Sequence, residues 1–423
     1  MKEKLTGLIK KHFKGTVPYQ LLFHTYYGLK RVRARIFQIA TLKLIFPYMY
    51  RKGAMAPLKA NKVLFIEVRE GSLSNDFRLL YDKLKKDYRV NIHCHFLEDY
   101  KVGRIEYTRR CARIVKDMAD AKYIFISDAC RPVNCVTLRK GTVLMQVWHA
   151  CGAFKKFGLS SAEQKFGDNR RLQELFPFHK NYTYAAVSSQ EVVWAYEEAF
   201  GFENKPGIVR PTGISRTDVF FDKEYVSSAR SRVEEFFPEA KDKKIILYAP
   251  TFRGRVAEAK APDALDIPQM AEVLSEEYVL LTKHHPFVQK LPQIPDKCTH
   301  FAKDCTGKLS IEDCLCAADV CITDYSSIIF EYALFERPML FFAYDLDDYN
   351  DWRGFYYPYE EMTPGPVCQT TQEMIDYIRK LPAGFDQEQV HAFKEKFMGA
   401  CDGHATDRIL QLVMGPNQDK LRA

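Results

Sequence analysis

From Lys62 onward, short apolar runs alternate with stretches of helical period. The runs VLFIEV (63–68), VNIHCHFL (90–97), YIFIS (123–127) and TVLMQVW (142–148) have the length and continuity of strands buried on both faces. Between the first three lie DFRLLYDKLKKDY (76–88) and IEYTRRCARIVKDMADA (105–121), where apolar residues recur every three or four positions. The alternation restarts after FFPEAKDKK (236–244) with IILYAP, IPQMAEVLSEEY, YVLLTKHHP, VCITDYSS and MLFFAYD. Strands that alternate with helices imply parallel sheets covered on both faces. The expected fold class is therefore α/β, with two Rossmann-type doubly wound domains over 59–235 and 236–423, preceded by a basic helical segment over 1–58. Open sheets of this kind bind ligands at the carboxyl ends of their strands, which puts a site in the cleft between the domains.

Composition alters this picture mainly at one end. The 423 residues are 47% apolar and 27% charged, which excludes disordered and collagen-like readings. The formal net charge is +8, yet residues 1–60 alone carry +12, which leaves the body slightly acidic. Leu5, Leu8, Ile9, Leu21, Leu22 and Phe23 lie among Lys, Arg and Tyr in that end. An interfacial helix would bury such residues at lipid headgroups while the cations meet phosphate, so an anionic membrane surface is the first expected partner. The alternative is an amphipathic helix packed on the body; nucleic acid is not expected, because no recognition motif accompanies the charge. Ile36–Tyr50 is the longest apolar run near this end, and Lys43 and Pro47 interrupt it, so it falls short of the roughly 20 residues that span a bilayer. The opening residues lack a continuous hydrophobic core and a small-residue cleavage site, so no secretory signal is expected. The expected location is peripheral, at the cytoplasmic face of the membrane.

Twelve Cys are scattered without a CxxC pair, which predicts reduced, buried thiols. In VNIHCHFL the alternation of a strand sends His93 and His95 to one face and Cys94 to the other, where packing is expected rather than metal binding.

The chain has no GxGxxG, Walker A or GxSxG sequence, which removes the usual nicotinamide, NTPase and α/β-hydrolase readings. Polar residues at strand ends remain. His149 in WHACGAFKKFG is placed to act as a general base, with Lys155 and Lys156 as candidate phosphate or acceptor contacts. His285 in TKHHPFV would stabilise or protonate a phosphate leaving group. In ITDYSSIIFEY, Ser326 and Ser327 cap a predicted helix whose N–H groups suit a pyrophosphate, and Glu331 lies one turn further in, within reach of ribose hydroxyls. Arg216, Arg253 and Arg353 each follow a turn and present guanidinium groups suited to phosphate. Each of these also has a structural reading: a turn histidine, a helix cap or a surface ion pair.

Their order is more telling than any one of them. WHACGAFKKFG, TGISRTDVF, ILYAPTFR, KHHP, ITDYSSIIFEYALFERPMLFFAYD and DWRGFYYPYEEMTPGP together resemble the motif series of the CDP-glycerol glycerophosphotransferase family, which builds teichoic acids. The resemblance runs from about Lys62 to DGHATDRI (402–409). It implies a GT-B-like fold, a peripheral membrane location and transfer of glycerol phosphate from CDP-glycerol to a hydroxyl of a lipid-linked saccharide or polyol-phosphate acceptor, with release of CMP. CDP-ribitol is the second donor. By this resemblance His149 is the base and His285 its partner at the donor phosphates. The resemblance also implies that Ser326, Ser327 and Arg353 hold those phosphates and Glu331 the ribose; Arg253 is a further expected phosphate contact, and Lys155, Lys156, Arg216 and Asp324 are candidate acceptor or phosphate contacts. No cofactor and no essential metal are implied. The chain departs from the usual pattern at Ala150 and Cys151, where a tighter WHG-type turn is common, and at Glu331, where Asp is frequent. The rival readings are a GT-B glycosyltransferase using a nucleotide-sugar and a non-catalytic membrane adaptor.

Overall fold

A computed structural model describes residues 17–99, 101–162, 164, 169–254 and 258–422, with side chains throughout except at 17–24, 350–353, 416 and 418. Among the described residues, twelve strands form two six-stranded sheets, and every strand pairing within them is parallel. The first holds β1 (Lys59–Glu67), β2 (Asn91–Phe96), β3 (Ala121–Ile126), β4 (Val143–Gln146), β5 (Tyr184–Ala186) and β6 (Val209–Arg210), in the order 2-1-3-4-5-6. The second holds β7 (Lys244–Tyr248), β8 (Tyr278–Thr282), β9 (Ala302–Asp304), β10 (Val320–Thr323), β11 (Met339–Phe342) and β12 (Val367–Cys368), in the order 12-11-10-7-8-9. Both orders reverse once, between β1 and β3 and between β7 and β10, and such a switch point opens a crevice at the strands' carboxyl ends.

The apolar runs become central strands because both of their faces are covered. Val63–Ile66 and Tyr123–Ile126 are fully buried, and Phe65 stacks on Phe125 across the β1–β3 register with ring centroids 5.0 Å apart. In β2 the alternation works as expected: His93 Nδ1 and His95 Nε2 lie 2.9 and 2.8 Å from the same Asp117 oxygen. Lys62 joins them, donating to Asp117 and Asp120 at 2.5 Å each. All twelve Cys are free thiols, and ten are buried.

The end of the chain returns to the first domain. Phe397 O accepts from Ser188 Oγ at 2.7 Å, Asp218 accepts from the N–H groups of Ala405 and Thr406, and Arg408 Nε donates to Thr212 O at 2.9 Å. The helix Gln387–Met398, whose His391 and Lys394 also pair with Glu336 of the second domain, thus bridges the two sheets, and Ala405–Met414 packs on the first domain.

At the other end, the helix Val17–Ile39 runs through a π-helical segment, Ala40–Ile45, into the helix Phe46–Gly53. Phe46 and Tyr50 anchor this unit in the first domain, and Tyr50 Oη accepts from the Arg139 N–H at 3.0 Å. Further out, Leu29, Val32, Ile36 and Ile39 recur at helical spacing and remain exposed among Lys30, Arg31, Arg33 and Arg35. Leu5, Leu8 and Ile9 lie outside the described residues, as do the side chains of Leu21, Leu22 and Phe23. Among the described residues, no helix is long and apolar enough to cross a membrane.

Candidate active site

The loops at the carboxyl ends of β4, β7, β8, β10 and β11 carry most of the expected residues. After β4 the chain turns sharply at Trp148, whose φ of 58° lies in the left-handed region that a bulky residue rarely adopts. Two features hold it there: Gln146 Oε1 accepts the Trp148 N–H at 3.0 Å, and the indole is buried among Phe157, Tyr196 and Phe200. This turn brings the His149 ring back over the end of β3, where Nδ1 lies 2.8 Å from Ser127 O. A carbonyl only accepts, so neutral His149 carries its proton on Nδ1 and keeps a lone pair on Nε2.

Gly152 then adopts a φ of 60°, donates its N–H to Ser188 Oγ at 2.9 Å and packs closely against the Phe330 ring. A Cβ at this position would stand 2.2 Å from Phe330, so only glycine allows the WHACG turn to meet the DYSS helix. Further on, Lys155 forms an antiparallel bridge with Phe355, Lys156 N–H donates to Gly354 O at 3.1 Å, and Tyr356 N–H donates to Phe154 O at 3.1 Å. The early FKK and late RGFY sequences therefore pair across the two domains. Lys155 Nζ itself reaches Tyr349 Oη at 3.3 Å. Arg353 ends the helix Leu346–Arg353 beside this pairing, and its side chain lies outside the described part.

In the second domain, after β8, His285 packs against Phe252 and Phe287, with centroids 5.0 and 4.5 Å away. The Phe287 N–H donates to His285 Nδ1 at 3.1 Å. Nδ1 is therefore the lone-pair nitrogen, and neutral His285 carries its proton on Nε2. The two histidines have opposite tautomers, each set by a backbone partner. One presents an acceptor at Nε2 and the other a donor.

Ser326 and Ser327 are half-buried at the start of the helix Ile328–Ala333, and Ser326 Oγ accepts weakly from Ile328 N–H at 3.4 Å. Just before them, buried Asp324 accepts from the Thr251 and Tyr325 N–H groups at 2.8 and 2.6 Å. It also pairs with Arg253 Nη1 at 2.9 Å, while Asp345 takes the other edge of that guanidinium at 2.6 and 2.9 Å. Arg253 and Asp324 thus organise the loops after β7, β10 and β11, with the Arg253 side chain still one-fifth exposed.

Two expected site residues are placed differently. Glu331, expected at the ribose, is 2% exposed, and its Oε1 lies 2.6 Å from Arg216 Nη2. Arg216, expected near acceptor or phosphate, is turned inward to that carboxylate and to Glu312 and Asp76, each 3.6 Å away. Burial pushes Glu331 up to about 7 and Asp76 up to about 6, against the opposing pull of Arg216. The physical reason is packing: Glu331 lies on the inward face of its helix, between fully buried Phe330 and Tyr332. Sequence reasoning did not single out Asp76 or Glu312, which carry no motif of their own. It also passed over Ser127, although its place at the end of YIFIS was a usable signal.

Two parallel, doubly wound sheets, with polar residues from both at their carboxyl ends, define a protein of the GT-B-like fold class. Residues 48–415 match the family described as CDP-Glycerol:Poly(glycerophosphate) glycerophosphotransferase, and the chain belongs to that family. The chain is 35% identical over 385 residues to the teichoic acid ribitol-phosphate primase of Bacillus spizizenii, covering 90% of this chain and 97% of that protein. It is 30% identical over 361 residues to the teichoic acid glycerol-phosphate primase of Bacillus subtilis, covering 83% and 88%. The solved structure of the wall teichoic acid polymerase TagF superposes with a TM-score of 0.73 at 19% identity, covering 94% of this chain and 99% of that one, and so shares the fold. The protein is an enzyme that transfers glycerol phosphate or ribitol phosphate from a CDP-activated donor to a cell-wall polymer acceptor.

Proposed function

We propose that the acceptor hydroxyl attacks the polyol-bearing phosphorus of a CDP-polyol while His149 Nε2 takes its proton. The new bond joins the acceptor oxygen to that phosphorus. The bond that breaks joins the phosphorus to the oxygen bridging it to CMP, and its electron pair leaves with CMP. His285 Nε2–H stabilises this departing charge. Ser326, Ser327, Arg253 and Arg353 are the proposed donor-phosphate contacts, and Lys155 and Lys156 face the acceptor side. The observation that carries this reading is the pair of opposed tautomers, since proton removal needs a lone pair and leaving-group stabilisation needs a donor.

The proposed donor is CDP-ribitol, which reverses the order expected from the motifs. It is supported by the higher identity to the ribitol-phosphate primase than to the glycerol-phosphate primase. CMP release from CDP-ribitol, CDP-glycerol and UDP-sugars, with purified lipid-linked acceptor, tests this. Release from CDP-ribitol alone is the expected result. Release from CDP-glycerol alone restores the motif order, and UDP release overturns the phosphotransfer reading.

The proposed partner of the N-terminal unit is an anionic membrane surface, supported by the exposed stripe of Leu29, Val32, Ile36 and Ile39 beside four cations. Ile36→Glu together with Leu29→Glu is expected to abolish flotation with phosphatidylglycerol vesicles and to leave CMP release to a soluble acceptor analogue intact. Undiminished flotation contradicts it.

A further inference from the structure

Arg216 sits where the two domains meet, and it serves both. It belongs to the turn Ser215–Phe221 after β6, while Asp76 opens the helix Asn75–Asp87 after β1. Glu312 and Glu331 come from the second domain, on the helices Ile311–Ala317 and Ile328–Ala333. The side chains of all four are at most 14% exposed. One guanidinium thus meets three carboxyls in a site from which water is largely excluded, and its Nε has no hydrogen-bond partner closer than the Asp76 contact at 3.6 Å. Such clusters are weak sources of stability and are better suited to fixing a register between two bodies.

The surroundings indicate what that register serves. Glu331 follows Phe330, the ring against which Gly152 of the His149 turn packs closely. Asp76 is also close enough to His149 that a protonated imidazole there would oppose the rise in its pKa, as Arg216 does. The cluster therefore lies beside the place where the loop bearing the base touches the helix that follows the serines.

We propose that Arg216, Glu331, Glu312 and Asp76 form an interdomain clasp that sets the spacing between the His149 loop and the donor half of the cleft, with Arg216 and Glu331 as positioning residues that touch neither substrate. Its catalytic role rests on His149 being the base; its structural role does not. In a cleft of this kind the register matters, because misplacement of a reacting group by about 1 Å can cost a hundredfold in rate. The clasp also accounts for Glu331 being acidic and yet turned away from the open cleft.

The test compares wild-type protein with Glu331→Gln and Arg216→Met, so that one near-isosteric variant remains if the other fails to fold. Small-angle scattering reads domain opening, calorimetry with CDP alone reads the donor half, and CMP release reads turnover. The clasp predicts a larger radius of gyration in both variants, CDP affinity within about twofold of wild type, and turnover reduced about ten- to a hundredfold. An unchanged radius of gyration with CDP affinity weakened about tenfold or more overturns it and returns Glu331 to the ribose. Failure of the wild type to turn over any donor would instead refute the functional reading, and the scattering comparison would still decide the clasp.

Discussion

Replacing His149 by alanine is expected to lower CMP release about a hundred- to ten-thousandfold, the range that a positioned general base supplies, with little change in CDP affinity. The imidazole is half-buried and hydrogen-bonds to Ser127 O, while the strained turn beside it is held by Gln146 and the aromatic packing of Trp148. Removing the ring therefore removes the base without dismantling its support. His149→Gln is expected to be as inactive as His149→Ala, since an amide can fill the space but cannot take a proton. Steady-state CMP release with purified acceptor measures this, with circular dichroism as the check on folding. Turnover within about tenfold of wild type in His149→Ala would remove the assigned role.

At His285 the same pair of substitutions is expected to separate. His285→Ala should cost about a hundred- to a thousandfold in turnover, the scale seen when one preorganised donor to a developing anion is removed. His285→Gln should recover part of that loss, because an amide N–H still donates although it cannot titrate. The asymmetry follows from the two backbone partners: Ser127 O takes the Nδ1 proton of His149, and Phe287 N–H takes the Nδ1 lone pair of His285. Equal failure of Ala and Gln at position 285 would mean that His285 transfers a proton rather than only donating a hydrogen bond.

Much of the fold was legible because parallel strands covered on both faces leave continuous apolar runs, such as Val63–Ile66 and Tyr123–Ile126. That His93 and His95 share one face followed from the two-residue period of a strand, whereas their common partner Asp117, on a neighbouring helix, did not. The return of Gln387–Met398 and Ala405–Met414 to the first domain was not legible. An amphipathic helix announces that it buries a face, but not which surface covers it. The same limit applies to the site. His149, His285 and the serines stand at strand ends that periodicity locates. The inward turn of Glu331 to Arg216 depends on two residues far apart in the chain, and no local pattern couples them. Arg253 is similar, because Asp324 and Asp345 meet it only once β10 and β11 lie beside β7. Trp148 in a left-handed conformation is a third case, imposed by tertiary packing against its own preference.

The proposed transfer requires the two histidines to enter the reaction with opposite tautomers. Nitrogen-15 NMR of histidine-labelled enzyme bound to CDP tests it directly, with the two alanine variants assigning the signals among the 11 His of the chain. The expected result is His149 protonated at Nδ1 and His285 protonated at Nε2. A neutral His149 protonated at Nε2 would leave no lone pair for the acceptor hydroxyl and would exclude it as the base.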